Sequence, residues 1–496
     1  MGTVDCDGMR ALEEAAFRSG VTAEALMDQA GRRLGRALLR LYPQPGTAVA
    51  YVGKGNNGGD ALVALRVMRE AGWEVMVRCG ADGSGMGELP RRKLRELGNP
   101  WILRKRFESL ESARPLLLID GLLGIGAGGA LREPVAGLAS EMNALRREAG
   151  AVVAAVDVPS GLDGTTGEIA DGAVVADLTL TIGVPKRGLL KDHAAAVAGR
   201  IELVPLEELP VPSGGDRLLV PGELREMLPE RPFPMHKGDA GRVGIVAGSK
   251  GMLGAALLTA TGALRSGAGL VTLYVPEKLY RLMVAAGPPP ELMVKPVGCY
   301  RNVLEEPLDA LAIGPGLGAP RKEARKALFE LLREFSGTIV LDADGLNLVA
   351  ESGPEKHVRE GMVLTPHPGE MARLFPAAET LDRAAAALAF VEAHPCTLLL
   401  KGARTVIALP GGSCRFNTTG TPGMASGGQG DVLTGVITAL AGAGATPAAA
   451  ACCGTWLAGR ASELALTGTG GAEESLLASD TAGALGAAFA ELRGRC

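Results

Sequence analysis

The sequence predicts two α/β domains, each with strands and helices alternating around a largely parallel sheet. Three observations lead there. A chain of 496 residues is longer than one hydrophobic core serves, and two domains of roughly 200–280 residues are the natural division. Short apolar runs ending in Gly-rich turns alternate with helical periodicity, and this rhythm stops at a Pro/Gly-rich stretch near residue 210 before starting afresh. The unusual residues gather at the carboxyl ends of the expected strands, where open α/β sheets place their ligands.

Composition narrows the class. Hydrophobic residues make up 47% and charged residues 21%, the balance of a soluble globular protein. The 71 glycines and 3% aromatic content point to close packing through small side chains and to loops built from backbone. Net charge is −4 without a basic run, so nucleic acid is not expected as a partner. Residues 1–30 carry Asp5, Asp7, Glu13 and Glu14 and no apolar run, which argues against a signal peptide. The most membrane-like segment, 439–459, is broken by Pro447 and several glycines; a buried helix pair fits it better than a span. Eight cysteines are scattered without a C-x-x-C pair. That is the usage of a reducing cytosol, and a cytoplasmic location is expected.

In the first half, residues 9–19 and 23–41 have the periodicity of a helix pair broken at Gly20. Residues 47–52 read as a buried strand. It feeds Gly53-Lys-Gly-Asn-Asn-Gly-Gly-Asp60 and then a helix over 61–71, the opening of a βαβ unit whose next strand is 75–79. Another strand, 116–119, ends at Asp120 and a Gly-rich loop, 121–129, and residues 151–156 run into Asp157-Val-Pro-Ser-Gly-Leu-Asp163. The 53–60 loop is not the dinucleotide fingerprint of spaced glycines with a downstream ribose acid. Asn57, Asp120 and Ser160 offer oxygen ligands from three loops at one sheet edge, which suits a hard cation. Taken singly, each of these is ordinary turn chemistry.

Together they carry a resemblance. Gly55-Asn-Asn-Gly-Gly-Asp60, Asp120 with its Gly-rich continuation, and Asp157-Val-Pro-Ser-Gly161 resemble the NAD(P)H-hydrate epimerase family (the YjeF N-terminal domain). The similarity runs over about residues 8–205 and includes the Met9-Arg-Ala-Leu12 and Leu26-Met-Asp-Gln-Ala-Gly31 segments. It implies a Rossmann-like three-layer sandwich. It also implies a hydrate site lined by Asn56, Asn57, Gly58, Gly59 and Asp60 and by Gly124, Ile125, Gly126, Ala127, Gly128, Gly129 and Ala130. Asp157 would contact the substrate as acid or base, and Asn57, Asp120 and Ser160 would hold potassium. Ala61 stands where the family usually has glycine, just inside the expected helix.

Residues 203–217 are rich in Pro and Gly and read as the linker. Beyond it, strands are expected at 243–247, 270–275, 311–313, 338–341, 363–364, 397–400 and 406–408, most separated by helical stretches, which argues for a parallel, doubly wound sheet. Their ends carry Gly314-Pro-Gly-Leu-Gly318, Asp342-Ala-Asp-Gly-Leu-Asn347, Thr365-Pro-His-Pro-Gly-Glu370 and Lys401-Gly-Ala-Arg-Thr405. The set closes with Thr421-Pro-Gly-Met-Ala-Ser-Gly-Gly-Gln-Gly-Asp431, after which an apolar helix is expected from Val432. A Gly-rich turn opening a helix presents unpartnered backbone N–H groups and a positive dipole end, a natural phosphate cradle. Asp431 would sit at its mouth, placed to take a proton from an attacking hydroxyl. The plainer reading makes Asp431 the N-cap of that helix.

This half, about 218–490, resembles the NAD(P)H-hydrate dehydratase family, which has a ribokinase-like fold. The residues that carry it are His236-Lys-Gly-Asp-Ala-Gly-Arg-Val243, Gly248-Ser-Lys-Gly-Met252, the 314–318 and 342–346 segments, Thr365 to Glu370, Lys401-Gly402 and Gly427-Gly-Gln-Gly-Asp431. The resemblance implies that Gly316, His367, Pro368, Gly369 and Glu370 contact the hydrate. Lys401, Gly402, Ala403, Arg404 and Thr405, with Gly427, Gly428, Gln429 and Gly430, would bind nucleotide, and Asp431 would be the base. Many relatives have Thr or Ser where this chain has Gln429. The two resemblances imply one chain that epimerises R and S hydrates of NADH or NADPH and dehydrates the S form with ADP or ATP. Magnesium would accompany the nucleotide, potassium would sit in the first domain, and a homo-oligomer is expected. A ribokinase-like vitamin kinase and a non-catalytic N-terminal binding module are the competing readings.

Overall fold

The computed structural model describes residues 1–79, 85–98, 101–103, 115–126, 128–212, 214–469 and 471–494, the backbone alone for 101–103, 468 and 469. Ala127 of the expected hydrate loop and Cys496 lie outside the described residues. Two compact units divide the chain, Met1–Gly214 and Gly215–Cys496.

The first unit carries seven strands: β1 Thr47–Val52, β2 Glu74–Cys79, β3 Trp101–Leu103, β4 Leu116–Gly121, β5 Val152–Val156, β6 Leu178–Ile182 and β7 Arg200–Val204. They form one sheet in the order β3-β2-β1-β4-β5-β6-β7, and every pairing is parallel. The reason lies in the apolar runs. β1 and β4 are buried at every position, so both faces must be covered by helices, and parallel crossovers provide them. Side chains alternate accordingly. Ala48, Ala50 and Val52 enter one core with Val75, Val77 and Ile119, while Val49 and Tyr51 enter another with Leu118 and Val153. The chain order reverses between β1 and β4, so their carboxyl ends open a crevice.

Helices at Cys6–Arg18 and Ala23–Leu41 precede the sheet. Each begins on a polar cap: Gly8 N donates to Asp5 Oδ1 at 2.7 Å and Ala25 N to Thr22 Oγ1 at 3.1 Å.

The second unit has ten strands: β8 Arg217–Leu218, β9 Arg242–Val246, β10 Leu270–Pro276, β11 Leu292–Val297, β12 Ala310–Ile313, β13 Thr338–Leu341, β14 Met362–Leu364, β15 Thr397–Leu400, β16 Val406–Leu409 and β17 Ser413–Phe416. Their order is β11-β10-β9-β12-β13-β14-β15-β16-β17-β8. From β11 to β15 the sheet is parallel and doubly wound. The expected parallel, doubly wound sheet is found there and is qualified beyond that point, where β15–β16 and β16–β17 are antiparallel. The five residues between β15 and β16 are too few for a crossover helix and suffice for a return. The expected linker is corrected. Leu203 and Val204 pair with Thr181 and Ile182 in β7, and Arg217 pairs with Arg415 in β8, so the connection proper is 205–216.

Helix Gln429–Gly442 is buried along nearly its whole length. It crosses helix Leu253–Arg265 at glycines: a Cβ on Gly435 would lie 2.0 Å from the Thr259 carbonyl oxygen, and one on Gly262 would lie 2.4 Å from that of Val432. Only backbone fits between these helices. This contact fixes where the start of the 429–442 helix meets the sheet.

Candidate active sites at the two sheet edges

In the first unit the β1/β4 crevice deepens into a cavity of about 1200 Å³. Its lining includes Asn56, Asn57 and Asp60 from the turn after β1, Gly124 to Gly126 with Gly128 to Ala130 after β4, and Asp157 after β5. Asp157 lies just past the end of β5 with φ 67°, a conformation unusual for a residue other than glycine. Its Oδ1 is heavily partnered: the Ile182 N–H donates at 2.9 Å, the Thr181 hydroxyl at 3.5 Å, and the Lys186 ammonium forms an ion pair with it. Lys186 is fully buried and also donates to the Ile182 carbonyl at 2.7 Å. Among the described residues no donor reaches Asp157 Oδ2, so that oxygen is the one available to the cavity it lines.

Asp120 is fully buried and takes neutral donors only, Ser160 N at 2.8 Å, Ser160 Oγ at 2.6 Å and Leu122 N at 3.2 Å. Burial pushes its pKa up to about 6 against those hydrogen bonds. Asn57 donates Nδ2 to the Leu123 carbonyl at 2.7 Å, and Ser160 Oγ accepts from Leu123 N at 2.9 Å. The structure therefore brings Asp120 and Ser160, from the ends of two strands, into direct contact, and joins Asn57 of a third loop to them through the Leu123 backbone.

In the second unit the carboxyl ends of β12 to β15 deliver Gly314, Asp342, Thr365 and Lys401 in succession. Lys401 Nζ donates to Asp342 Oδ1 at 2.8 Å and lies 3.9 Å from Glu370 Oε2. Asp342 Oδ2 accepts from Thr434 Oγ1 at 2.8 Å, which ties the strand end to the 429–442 helix. A Cβ on Gly430 would lie 3.4 Å from Lys401 Nζ and 3.7 Å from Asp342 Oδ2, so the helix starts directly over this cluster. Burial and then the neighbouring Asp342 push the Asp431 pKa up to about 6, with Lys401 pulling the other way. Burial alone would lower Lys401, but Asp342, Glu370 and Asp431 outweigh it and its pKa is raised. The cluster thus holds a fixed cation beside a carboxylate that titrates near neutrality, a combination suited to accepting a proton while attracting phosphoryl oxygens.

The sequence of the second unit matches, over residues 243–482, the family described as NAD(P)H-hydrate dehydratase. Residues 23–188 match the family described as YjeF-related protein N-terminus. The bifunctional NAD(P)H-hydrate repair enzyme Nnr of Gloeobacter violaceus is 39% identical, with 90% of this chain and 92% of the relative covered. The chain belongs to the family of bifunctional NAD(P)H-hydrate repair enzymes. The Escherichia coli repair enzyme is 35% identical, covering 92% and 88% of the two chains. The crystal structure of an ADP/ATP-dependent NAD(P)H-hydrate dehydratase from Bacillus subtilis, co-crystallised with ATP and Mg2+, is 30% identical with a TM-score of 0.48. It covers 56% of this chain and 99% of its own.

Within this repair-enzyme chain the expected residues are distributed unevenly. Lys401, Glu370 and Asp431 come together; Asp431 is the third residue of its helix, with Gly428 as N-cap at φ 95°. The N-cap reading of Asp431 is thereby corrected. The helix begins at Gln429, earlier than the apolar run, because the left-handed Gly428 turns the chain into it. Gly316 is buried at φ 58°. His367 is exposed and caps helix Pro368–Leu374 in a reciprocal box with Glu370. Gly402 and Ala403 are exposed, whereas Arg404 and Thr405 are buried. Gln429 is buried, and its Oε1 has no hydrogen-bond partner among the described residues.

Two groups in these clusters were not singled out as site residues from the sequence. Asp342 stood in a noted strand-end motif, and its burial beside Lys401 decides its place. Lys186 gave a weaker signal, a lysine closing the apolar run after β6.

Proposed function

We propose that the chain restores hydrated nicotinamide cofactors in two steps, one per unit. The first unit interconverts the R and S hydrates of NADH and NADPH. The second transfers a phosphoryl group from ADP or ATP to the ring hydroxyl of the S hydrate, then releases phosphate to leave the reduced cofactor and AMP or ADP. The supporting observation is the 39% identity to a bifunctional repair enzyme over nine-tenths of the chain, spanning both carboxylate sites. Phosphorylation precedes elimination for a simple reason: hydroxide is a poor leaving group and phosphate a good one.

The residues take their roles from position. Asp431 accepts the hydroxyl proton as oxygen attacks phosphorus, and the N–H groups at the start of the 429–442 helix with Lys401 hold phosphoryl oxygens. Asp342 keeps Lys401 aimed at the helix start. Three carboxylates stand around one lysine in this cluster, an excess of oxygen anion that fits a divalent ion. Magnesium bound with the nucleotide would be held by Asp431 together with phosphate oxygens, both Asp342 oxygens being engaged by Lys401, the Ala343 N–H and Thr434, and would supply charge neutralisation there. In the first unit the donor set of Asp120, Ser160 and Asn57 is oxygen only, and no lysine, arginine or histidine pairs with the buried Asp120 among the described residues. That fits potassium, which would order the loops after β1 and β4. Asp157 is the proton carrier of the first unit. Assembly into a homo-oligomer and a cytoplasmic location complete the reading; no described helix is long and apolar enough to cross a membrane.

The test uses acid-generated NADH hydrate separated into R and S forms. With ADP or ATP, the S form should regain the absorbance of reduced nicotinamide directly, and the R form should do so through the first unit. Accumulation of a phosphorylated product with no return of absorbance would instead make the second unit a simple kinase.

A further inference from the structure

The cavity of the first unit holds more acid than the reading above uses. Asp157, Asp60 and Glu13 line it, with Glu133, Asp163, Glu168 and Asp171 toward the loops after β4 and β5 and with Arg10, Lys54 and Arg132 as the lining cations; the fully buried Lys186 lies behind Asp157 and is committed to it. Glu13 comes from helix Cys6–Arg18, ahead of residue 23, where the match to the family begins. The helix is fixed at the rim of the cavity. Cys6 N donates to Thr165 Oγ1 at 3.1 Å, and Arg10 Nη2 donates to the Ile125 carbonyl at 3.0 Å. Arg10 also pairs with Asp7, so its charge is shared with the exposed side.

Charge decides where protons reside in such a cavity. Burial first, then repulsion from Asp157, raises the Glu13 pKa against the pull of Lys186 and Arg10. Burial, followed by Asp157 and Glu13, lifts Asp60 well above its ordinary value, with Lys186 again opposing. Glu13 and Asp60 therefore hold a proton more readily than free carboxyls, in a cavity whose third acid, Asp157, is paired with an ammonium.

We propose that Glu13 is a second catalytic residue of this cavity, the acid that protonates the departing ring hydroxyl, while Asp157 receives the proton of the water that returns. The proposal rests on the epimerase reading and deepens it. In the route proposed, inversion at the hydroxyl-bearing ring carbon proceeds by the oxygen leaving from one face and water adding to the other. As the carbon–oxygen bond breaks, its electron pair leaves with oxygen, the Glu13 proton joins it, and water departs. The ring nitrogen lone pair forms a carbon–nitrogen double bond. Water then attacks the opposite face, that double bond returns its electrons to nitrogen, and Asp157 takes the proton. Proton exchange between the two carboxyl groups through cavity water resets the pair, and no external reactant is consumed.

The test is Glu13→Gln in the full chain, with R and S hydrates separated by chromatography. The amide matches the protonated carboxyl in shape and charge, so folding is retained, and a melting curve checks it. Wild type should lose epimerisation rate as pH rises through the titration of its acid. Glu13→Gln should be slower by ~10²–10⁴ and lack that descending limb, and Glu13→Asp should recover both the limb and part of the rate. The proposal is overturned if Glu13→Gln epimerises at more than a tenth of the wild-type rate or keeps the limb. It is equally overturned if Asp60→Asn alone removes the limb. Wild-type protein that interconverts no hydrate at all would defeat the epimerase reading itself, a distinct outcome.

Discussion

Replacing Asp431 by Asn separates chemistry from architecture, because the two predict changes of opposite sign. A carboxylate lifted from 3.8 to about 6 penalises the folded state at neutral pH by about 3 kcal/mol if water is wholly excluded. Asp431 is partly exposed, and solvent screening reduces this to roughly 1.5 kcal/mol. Near the positive end of the helix the charge returns about 0.5 kcal/mol, which the amide gives up. The net expectation is that Asp431→Asn stabilises the second unit by about 1 kcal/mol at pH 7.5, a rise in Tm of about 2–4 °C. The sign follows from the raised pKa. The stability linked to Asp431 is fully present below about pH 4 and is lost as pH climbs through about 6, so the gap between mutant and wild type should open over that window and close at pH 4. Turnover of S hydrate should fall by ~10²–10⁴, equivalent to about 3–5 kcal/mol of barrier, while ADP or ATP binds at least as tightly, since the backbone N–H groups are untouched. Calorimetry at pH 4 and 7.5 with the absorbance assay reads both quantities. A mutant that turns over at more than a tenth of the wild-type rate, or melts below wild type at pH 7.5, refutes the reasoning.

Three further outcomes are expected. Asp157→Asn should stop R-to-S conversion and leave S-hydrate dehydration at its normal rate. It also strips buried Lys186 of its counter-charge, costing the first unit about 3–5 kcal/mol, and adding Lys186→Met should recover stability by melting without recovering epimerisation. Gly435→Ala should destabilise the second unit by about 3 kcal/mol or more, since the new Cβ would meet the Thr259 carbonyl oxygen at 2.0 Å; a denaturant midpoint close to wild type would contradict it. Residues 1–214 and 215–496 expressed separately should each fold and retain their own half of the reaction, and aggregation of both fragments would argue against the division.

How much was legible depended on where the information resides. The β1 and β4 runs announce themselves, because positions buried on both faces of a sheet draw apolar or small residues, broken in β4 only by Asp120 near its end, and the loops after them must be Gly-rich to let backbone approach a ligand. β11 was not anticipated: Lys295 and Pro296 sit in a strand at the sheet margin, where one side has no ladder to satisfy and sequence constraints relax. β17 is equally quiet, since Ser413 and Arg415 alternate with Cys414 and Phe416 over only four residues. Asp431 was readable as a chemical group but not as a helix position, because the helix start is set by the left-handed backbone of Gly428 and not by hydrophobic spacing. Lys186 and Glu13 show a deeper limit. Their importance is electrostatic, created when segments distant in sequence converge on Asp157, and no local pattern encodes that convergence.

The small strand β8 has a temporal consequence. The first unit's sheet is built from strands that precede residue 205 and can close on itself as soon as they have been synthesised. The second unit cannot finish in that way. Its outermost strand is its first, Arg217 and Leu218, and their partners are Arg415 and Phe416, made about two hundred residues later. During translation the junction segment waits unpaired until β17 emerges, then seals the edge of the sheet as its last addition. A chain that stalls just before residue 413 therefore carries a complete first unit followed by an open β16 edge, so the quality-control burden of this protein falls on its second half.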